Sequence, residues 1–250
     1  MSPLLRAELL KQRSTRTGLG LLSGLIGLVL IAELLHGFGL PADRLADTSA
    51  QLMVLGRGEF LAVLFAALVG ALSITSEIRH GTIRPTFLVS PTRGRVVAAK
   101  VWVSTLTGAG FGLVASALAA GVGTATLRAR GIDVQLDGGD FALLIAGGVA
   151  AAALWAAIGV GLGAIVRDQV PTLIGISAWL LFVEGLLVGD VAGPDISDIG
   201  RFAPGALGMA ASGQDPGTLL SPAIAIVFLV LYAVAAAAAG WRATMRRDVV

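Results

Sequence analysis

Long apolar runs alternate with short stretches that hold most of the charge, and this alternation divides the chain into six segments. A helix needs about 20 apolar residues to cross the hydrocarbon of a bilayer. By that measure the pattern predicts spans over about residues 18–35, 60–75, 101–127, 141–166, 171–188 and 219–240. The second and fifth are near the short limit, and the second can extend into the residues before Phe60. Backbone polar groups in lipid must be satisfied within the segment, which favours helices. The expectation is an all-α integral membrane protein, a six-transmembrane-helix bundle forming a single domain over residues 1–250.

Composition strengthens this reading. The chain is 56% hydrophobic and only 14% charged, with a mean hydropathy of +0.86, whereas soluble domains carry about 25% charged residues. Its 34 glycines fit helices that approach closely in lipid. Gly20/Gly24, Gly108/Gly112 and Gly159/Gly163 repeat at the four-residue spacing such contacts use. A net charge of +2 gives no case for a nucleic-acid partner. The lack of cysteine, with His36 and His80 far apart, argues against a metal centre. The first apolar stretch is long enough to remain as a span, so no cleaved signal peptide is expected.

Orientation follows from the basic residues. Thirteen of the 18 fall in the N-terminal segment (Arg6, Lys11, Arg13, Arg16), after span 2 (Arg79, Arg84, Arg93, Arg95, Lys100), after span 4 (Arg167) and at the C-terminus (Arg242, Arg246, Arg247). Arg44, Arg57, Arg128, Arg130 and Arg201 fall on the other side. Both termini are therefore expected in the cytoplasm of a multi-pass cell-membrane protein. Residues 189–218, on the outer side, have few charges and contain an apolar, Gly-rich run from Phe202 to Ala211. A wet loop would be more polar, so this segment is read as re-entrant, the alternative being a loop packed on the outer surface.

Residues 76–100 carry the most information. Gly81 permits a backbone conformation closed to other residues and can end span 2. Thr82 can cap a short helix to about Val89, and Ser90-Pro91 is a second helix-start signal, a cap followed by proline at the first position. Arg93 and Lys100 then share a face of the helix entering span 3. Ile83, Phe87 and Leu88 make an apolar stripe among basic residues, suited either to a docked partner or to anionic lipid. Arg167 and Asp168 offer a second, smaller contact point on the same side. Glu77, where span 2 ends, can pair with a nearby arginine or meet a basic residue of a partner.

In order and spacing, Glu77, Gly81-Thr82, the short apolar helix, Ser90-Pro91-Thr92-Arg93 and Lys100 resemble the permease subunit of ABC type-2 transporters. The resemblance extends over the chain. Leu4–Lys11 lies where that family has an interfacial helix, although Leu10 and Arg6 project from one side. The short loop at Arg167–Val170 and the apolar Pro204-Gly205-Ala206 loop also match. The resemblance implies a cytoplasmic coupling helix at Gly81–Val89 that docks into a separate ABC ATP-binding subunit, with ATP and magnesium held there and no cofactor on this chain. It also implies a second permease copy, the same or a related chain. Independently, a phosphate-binding loop needs glycine directly before its lysine, and the two lysines, Lys11 and Lys100, follow Leu10 and Ala99.

Inside the spans, carboxylates are costly and are functional candidates by default. Glu184 either lines an export path or binds a cationic substrate, or else it sits at the outer headgroups or bonds to the re-entrant segment, and Glu33 lies near the outer end of span 1. Ser104 and Thr107 on span 3 either face a pathway or bond back to their own helix. The leading expectation is an exporter subunit for a hydrophobic or amphipathic substrate that is not itself catalytic. The alternatives are a non-transporting anchor or sensor and an intramembrane enzyme, for which no nucleophile–base pair is apparent.

Overall fold

The computed structural model describes residues 3–83, 85, 93–188, 199–215 and 217–246. Eleven α-helices are assigned among them: α1 (Pro3–Ser14), α2 (Arg16–Gly39), α3 (Ala42–Leu45), α4 (Thr48–Leu55), α5 (Arg57–Arg79), α6 (Arg93–Ala129), α7 (Gly138–Val166), α8 (Gln169–Ala178), α9 (Glu184–Val188), α10 (Pro204–Ala211) and α11 (Pro222–Arg246). A π-helical turn, Trp179–Val183, joins α8 to α9. Six helical stretches are long and apolar enough to cross a membrane: Arg16–Gly39, Thr48–Arg79, Gly94–Ala129, Gly138–Val166, Gln169–Leu186 and Pro222–Arg246. The second is longer than its apolar run suggests because α4 continues into α5 through Gly56.

Helix ends follow local chemistry. Asp137 caps α7, accepting from Gly139 N at 2.7 Å and Asp140 N at 3.0 Å, while Asp140 accepts in return from Asp137 N at 3.0 Å. This reciprocal arrangement satisfies donors that a helix start leaves orphaned. α7 stops at Arg167, which is left-handed at φ 62°, and Asp168 caps α8 by accepting from Val170 N at 3.2 Å. These two residues are thus a tight helix-to-helix turn. Gly81 ends α5 at φ +68°, as a C-terminal glycine does.

α5, α6 and α7 form the centre. In the second span, 67% of the most apolar stretch is buried, against 17% in the first and 22% in each of the last two. Glycine sets how closely the central helices meet. A methyl group on Gly108 would lie 2.5 Å from Ala152 O, and one on Gly159 only 2.1 Å from Ala67 O. Neither position admits a side chain without moving backbone. Of the three glycine pairs, Gly108/Gly112 and Gly159/Gly163 lie in such contacts, whereas Gly20 meets nothing within 4 Å.

The short helix α10 packs among the spans: Leu207, Ala210 and Ala211 join one apolar cluster with Trp155 of α7 and Leu229 of α11. The apolar run expected to be re-entrant is therefore a buried helix. Arg130 ties the last turn of α2 to α6, donating to Gly37 O and, at 2.8 Å, to Leu40 O. Below, the near end is the one that carries α1 and the far end is the one where α2 finishes and α5 begins.

Candidate functional site

At the near end, four charged side chains from three helices form one cluster, three of them buried and the fourth, Lys11, exposed. Glu8, Lys11 and Gln12 share a face of α1 because residues three and four apart lie side by side on a helix. Glu77 is at the end of α5, and Lys100 is in the second turn of α6. Lys100 is 1% exposed. Its ammonium lies 2.8 Å from Glu8 Oε2 and 2.8 Å from Glu77 Oε1, and it donates to Ser73 O at 2.9 Å. Lys11 lies 2.9 Å from Glu8 Oε1 and 2.8 Å from Glu77 Oε1. Each lysine therefore joins both glutamates, and two positive charges balance two negative ones.

The energetics of the four contacts differ. Removing one partner of a buried pair costs about 3–5 kcal/mol, because the other charge stays buried and uncompensated. That applies to Lys100. The side chain of Lys11 is 46% exposed, and solvent screens such pairs to about 0–1 kcal/mol. Partial burial pulls the Lys11 ammonium down, but hydrogen bonds to Glu77 and Glu8 outweigh it and hold the group above its ordinary value. One oxygen of Glu77, Oε2, is buried with no partner among the described residues.

Gln12 continues the contact along α6. It donates to Ser104 Oγ at 2.9 Å and accepts from the Thr107 hydroxyl. The polar face of α1 thus meets a polar strip of α6 at Lys100, Ser104 and Thr107, spaced four and three residues apart. This explains the unbalanced pattern of α1. Glu8 of α1 is buried against the bundle, whereas Leu10, 65% exposed, points out.

Several expectations change here. Glu77 takes Lys11 and Lys100 as partners; Arg79 donates instead to Gln169 Oε1 at 3.5 Å, and Arg84 and the side chain of Arg93 lie outside the described residues. Lys100, expected to share a helix face with Arg93, is buried. Ile83 is buried in a cluster with Ile74 and Ala164, so it leaves the outward stripe. Thr82 donates to Glu77 O at 3.5 Å. Phe87, Leu88, Ser90 and Pro91 lie outside the described residues, as does the side chain of Arg93. Ser104 and Thr107 both meet Gln12, and Thr107 also bonds back to its own helix as expected, donating to Val103 O at 3.0 Å.

At the far half of the bundle, Glu184 is 5% exposed and accepts from Gly205 N at 2.9 Å, Ala206 N at 3.0 Å and the Trp179 indole. It caps the first turn of α10, where backbone N–H groups have no helical partner and favour a negative charge. Gly205 is required for this approach, since a methyl group there would lie 2.1 Å from Glu184 Oε2. The carboxylate therefore bonds to the apolar segment before the last span, one of its expected roles. Glu59 of α5, 2% exposed, was missed from sequence. It meets Gln214 Nε2 at 3.4 Å, and Gln214 also donates to Gly56 O at 3.2 Å and Ser212 Oγ at 2.7 Å. Both ends of α10 are thus tied by side chains.

The signal that could have revealed the near-end cluster is compositional. Sixteen of the 18 basic residues are arginine, and the two lysines are the ones that pair with Glu8 and Glu77. No protein-family model matches the chain, and no curated protein is significantly similar to it.

Proposed function

We propose that this chain is the membrane-spanning permease subunit of an ATP-driven exporter of the ABC type-2 kind, with ATP hydrolysed by a separate cytoplasmic subunit. The observation that carries this reading is the near-end cluster. Glu77 and Lys100 flank the segment that resembles a coupling helix, and Glu8 and Lys11 bind α1 to both. A push on residues 84–92 would reach α5, α6 and α1 together. The buried helix α10, capped by Glu184, supports the same reading, since the apolar Pro204-Gly205-Ala206 stretch before the last span belongs to the resemblance. The basic residues make the near end cytoplasmic.

The substrate is hydrophobic or amphipathic in this reading, and a second permease copy completes the pathway. The test is reconstitution. The chain alone should hydrolyse no ATP, and its complex with a P-loop subunit should hydrolyse ATP and move an amphipathic cargo across vesicles. Phe87→Asp should weaken binding of that subunit, because the new charge would be buried without a partner. Hydrolysis by the pure chain, or unchanged binding and transport in Phe87→Asp, contradicts the reading.

A further inference from the structure

The helix α1 has two polar faces. One carries Glu8 and Gln12, which reach Lys100 and Ser104 of α6. Successive helical residues turn by about 100°, which puts Arg6, Leu10 and Arg13 within about 60° of one another on nearly the opposite side. All three are exposed. The ion pairs of the described residues all lie inside the cluster, so neither arginine has one. Of the acidic residues described at this end, Glu8 and Glu77 pair with lysine and Asp168 caps α8. The charge of the outer face is left for something outside the chain.

Neighbouring elements show at what level this face lies. α1 meets α6 between Lys100 and Thr107. Trp102, within that stretch, is 64% exposed, as an indole at the boundary of a bilayer is. One residue after α1, at Arg16, the first span begins. A helix held at that level meets lipid headgroups on its outer side. Leu10 can reach the acyl boundary there, while long arginine stems carry their charges to the phosphates. A guanidinium binds two phosphate oxygens at once.

We propose that Arg6, Leu10 and Arg13 form a docking face for anionic phospholipid headgroups, and that lipid charge thereby seats α1 against the four-charge cluster on its other side. This goes beyond the proposed function and needs no ATPase partner.

The full chain in nanodiscs tests it, with phosphatidylcholine alone compared with a mixture containing phosphatidylglycerol. Leu10→Cys, in a chain without native cysteine, is labelled with a neutral, water-soluble maleimide. Its labelling should slow by about tenfold in the anionic discs, and Arg6→Gln/Arg13→Gln should abolish that difference. Exposed His80→Cys should label equally in both discs. An equal rate at Leu10→Cys in the two lipids overturns the docking face. Slowing that survives in the double variant, or that matches His80→Cys, also overturns it, because surface charge alone would then act on the reagent. Protection that appears only on adding an ATP-binding subunit would give the face to a protein and overturn the lipid assignment. If the double variant does not fold, Arg6→Gln and Arg13→Gln are read singly, and recovery of the rate in neither overturns the proposal. The seating has its own readout. The half-life of the chain at a fixed unfolding temperature should be severalfold longer in anionic discs, and the gain should vanish in Arg6→Gln/Arg13→Gln. Equal half-lives in the two lipids overturn the seating of α1.

Discussion

The two ends of the bundle satisfy buried carboxylates in different ways. At the near end, Glu8 and Glu77 meet two lysine ammonium groups, and the four charges cancel. Toward the far end, Glu184 meets backbone N–H groups at the start of α10, and Glu33 has no hydrogen-bond partner among the described residues. The residue type is the same and the depth of burial similar, but the mechanical consequences differ. An ammonium on a flexible stem can hold several helices at once, so the near end is one unit of α1, α5 and α6. A helix N-terminus accepts a carboxylate in one orientation, so Glu184 fixes the position of α10 against the π-helical turn, through Gly205 N, Ala206 N and the Trp179 indole.

The largest expected effect tests the near end. Lys100→Met removes the one fully buried ammonium and should destabilise the chain by about 3–5 kcal/mol, measured as loss of thermal stability in detergent. Lys100→Met/Glu8→Met leaves the neutral pair Lys11–Glu77 and should recover much of that loss. Additive losses in the double variant would mean that the charges do not act as one cluster. Next in size is the α10 cap. Gly205→Ala forces a methyl group into the Glu184 carboxylate and should cost about 1–3 kcal/mol. Glu184→Gln keeps the shape but weakens charge-assisted bonds, each worth about 1.5–3 kcal/mol. Faster proteolysis near α10, with labelling at Leu9→Cys unchanged, would separate this region from the near end.

The smallest effect is that of Lys11. Its folded-state value is raised, so its contribution is complete below the unfolded lysine value, about pH 10.4, and is lost as pH rises through the higher folded value. Lys11→Arg should remove this alkaline step, because guanidinium stays charged there. Melting curves between pH 9 and 12 check it, and an identical step in Lys11→Arg would assign the step to another group. (Those bounds are roughly the range over which lysine titrates.)

The six spans, the break at Gly81 and the special nature of the apolar stretch before the last span were all legible in the sequence, because each rests on local properties: hydropathy, a positive φ and an apolar loop. The charge partners were not. Glu77 has arginines two, seven and sixteen residues away, yet it binds Lys100 and, 66 residues back, Lys11. Glu8 and Lys100 are 92 residues apart. Such pairings are set by where α1 folds back, and its pattern hid this because a polar inner face reads as an outward one. Ile83 was read as outward for the converse reason. An apolar residue among arginines looks like a docking surface, but here it fills the gap between Ile74 and Ala164.

The claim that the near end faces the cytoplasm and receives an ATPase can be measured most directly by cysteine labelling, since the native chain has no cysteine. His80, exposed beside Gly81, and Asp133, exposed at the far end, are replaced one at a time and treated with a membrane-impermeant maleimide. His80→Cys should react only from the cytoplasmic side and should be protected when the ATP-binding subunit is bound, while Asp133→Cys reacts from outside at the same rate with or without that subunit. Labelling of His80→Cys from outside, or at an unchanged rate in the complex, would contradict the account.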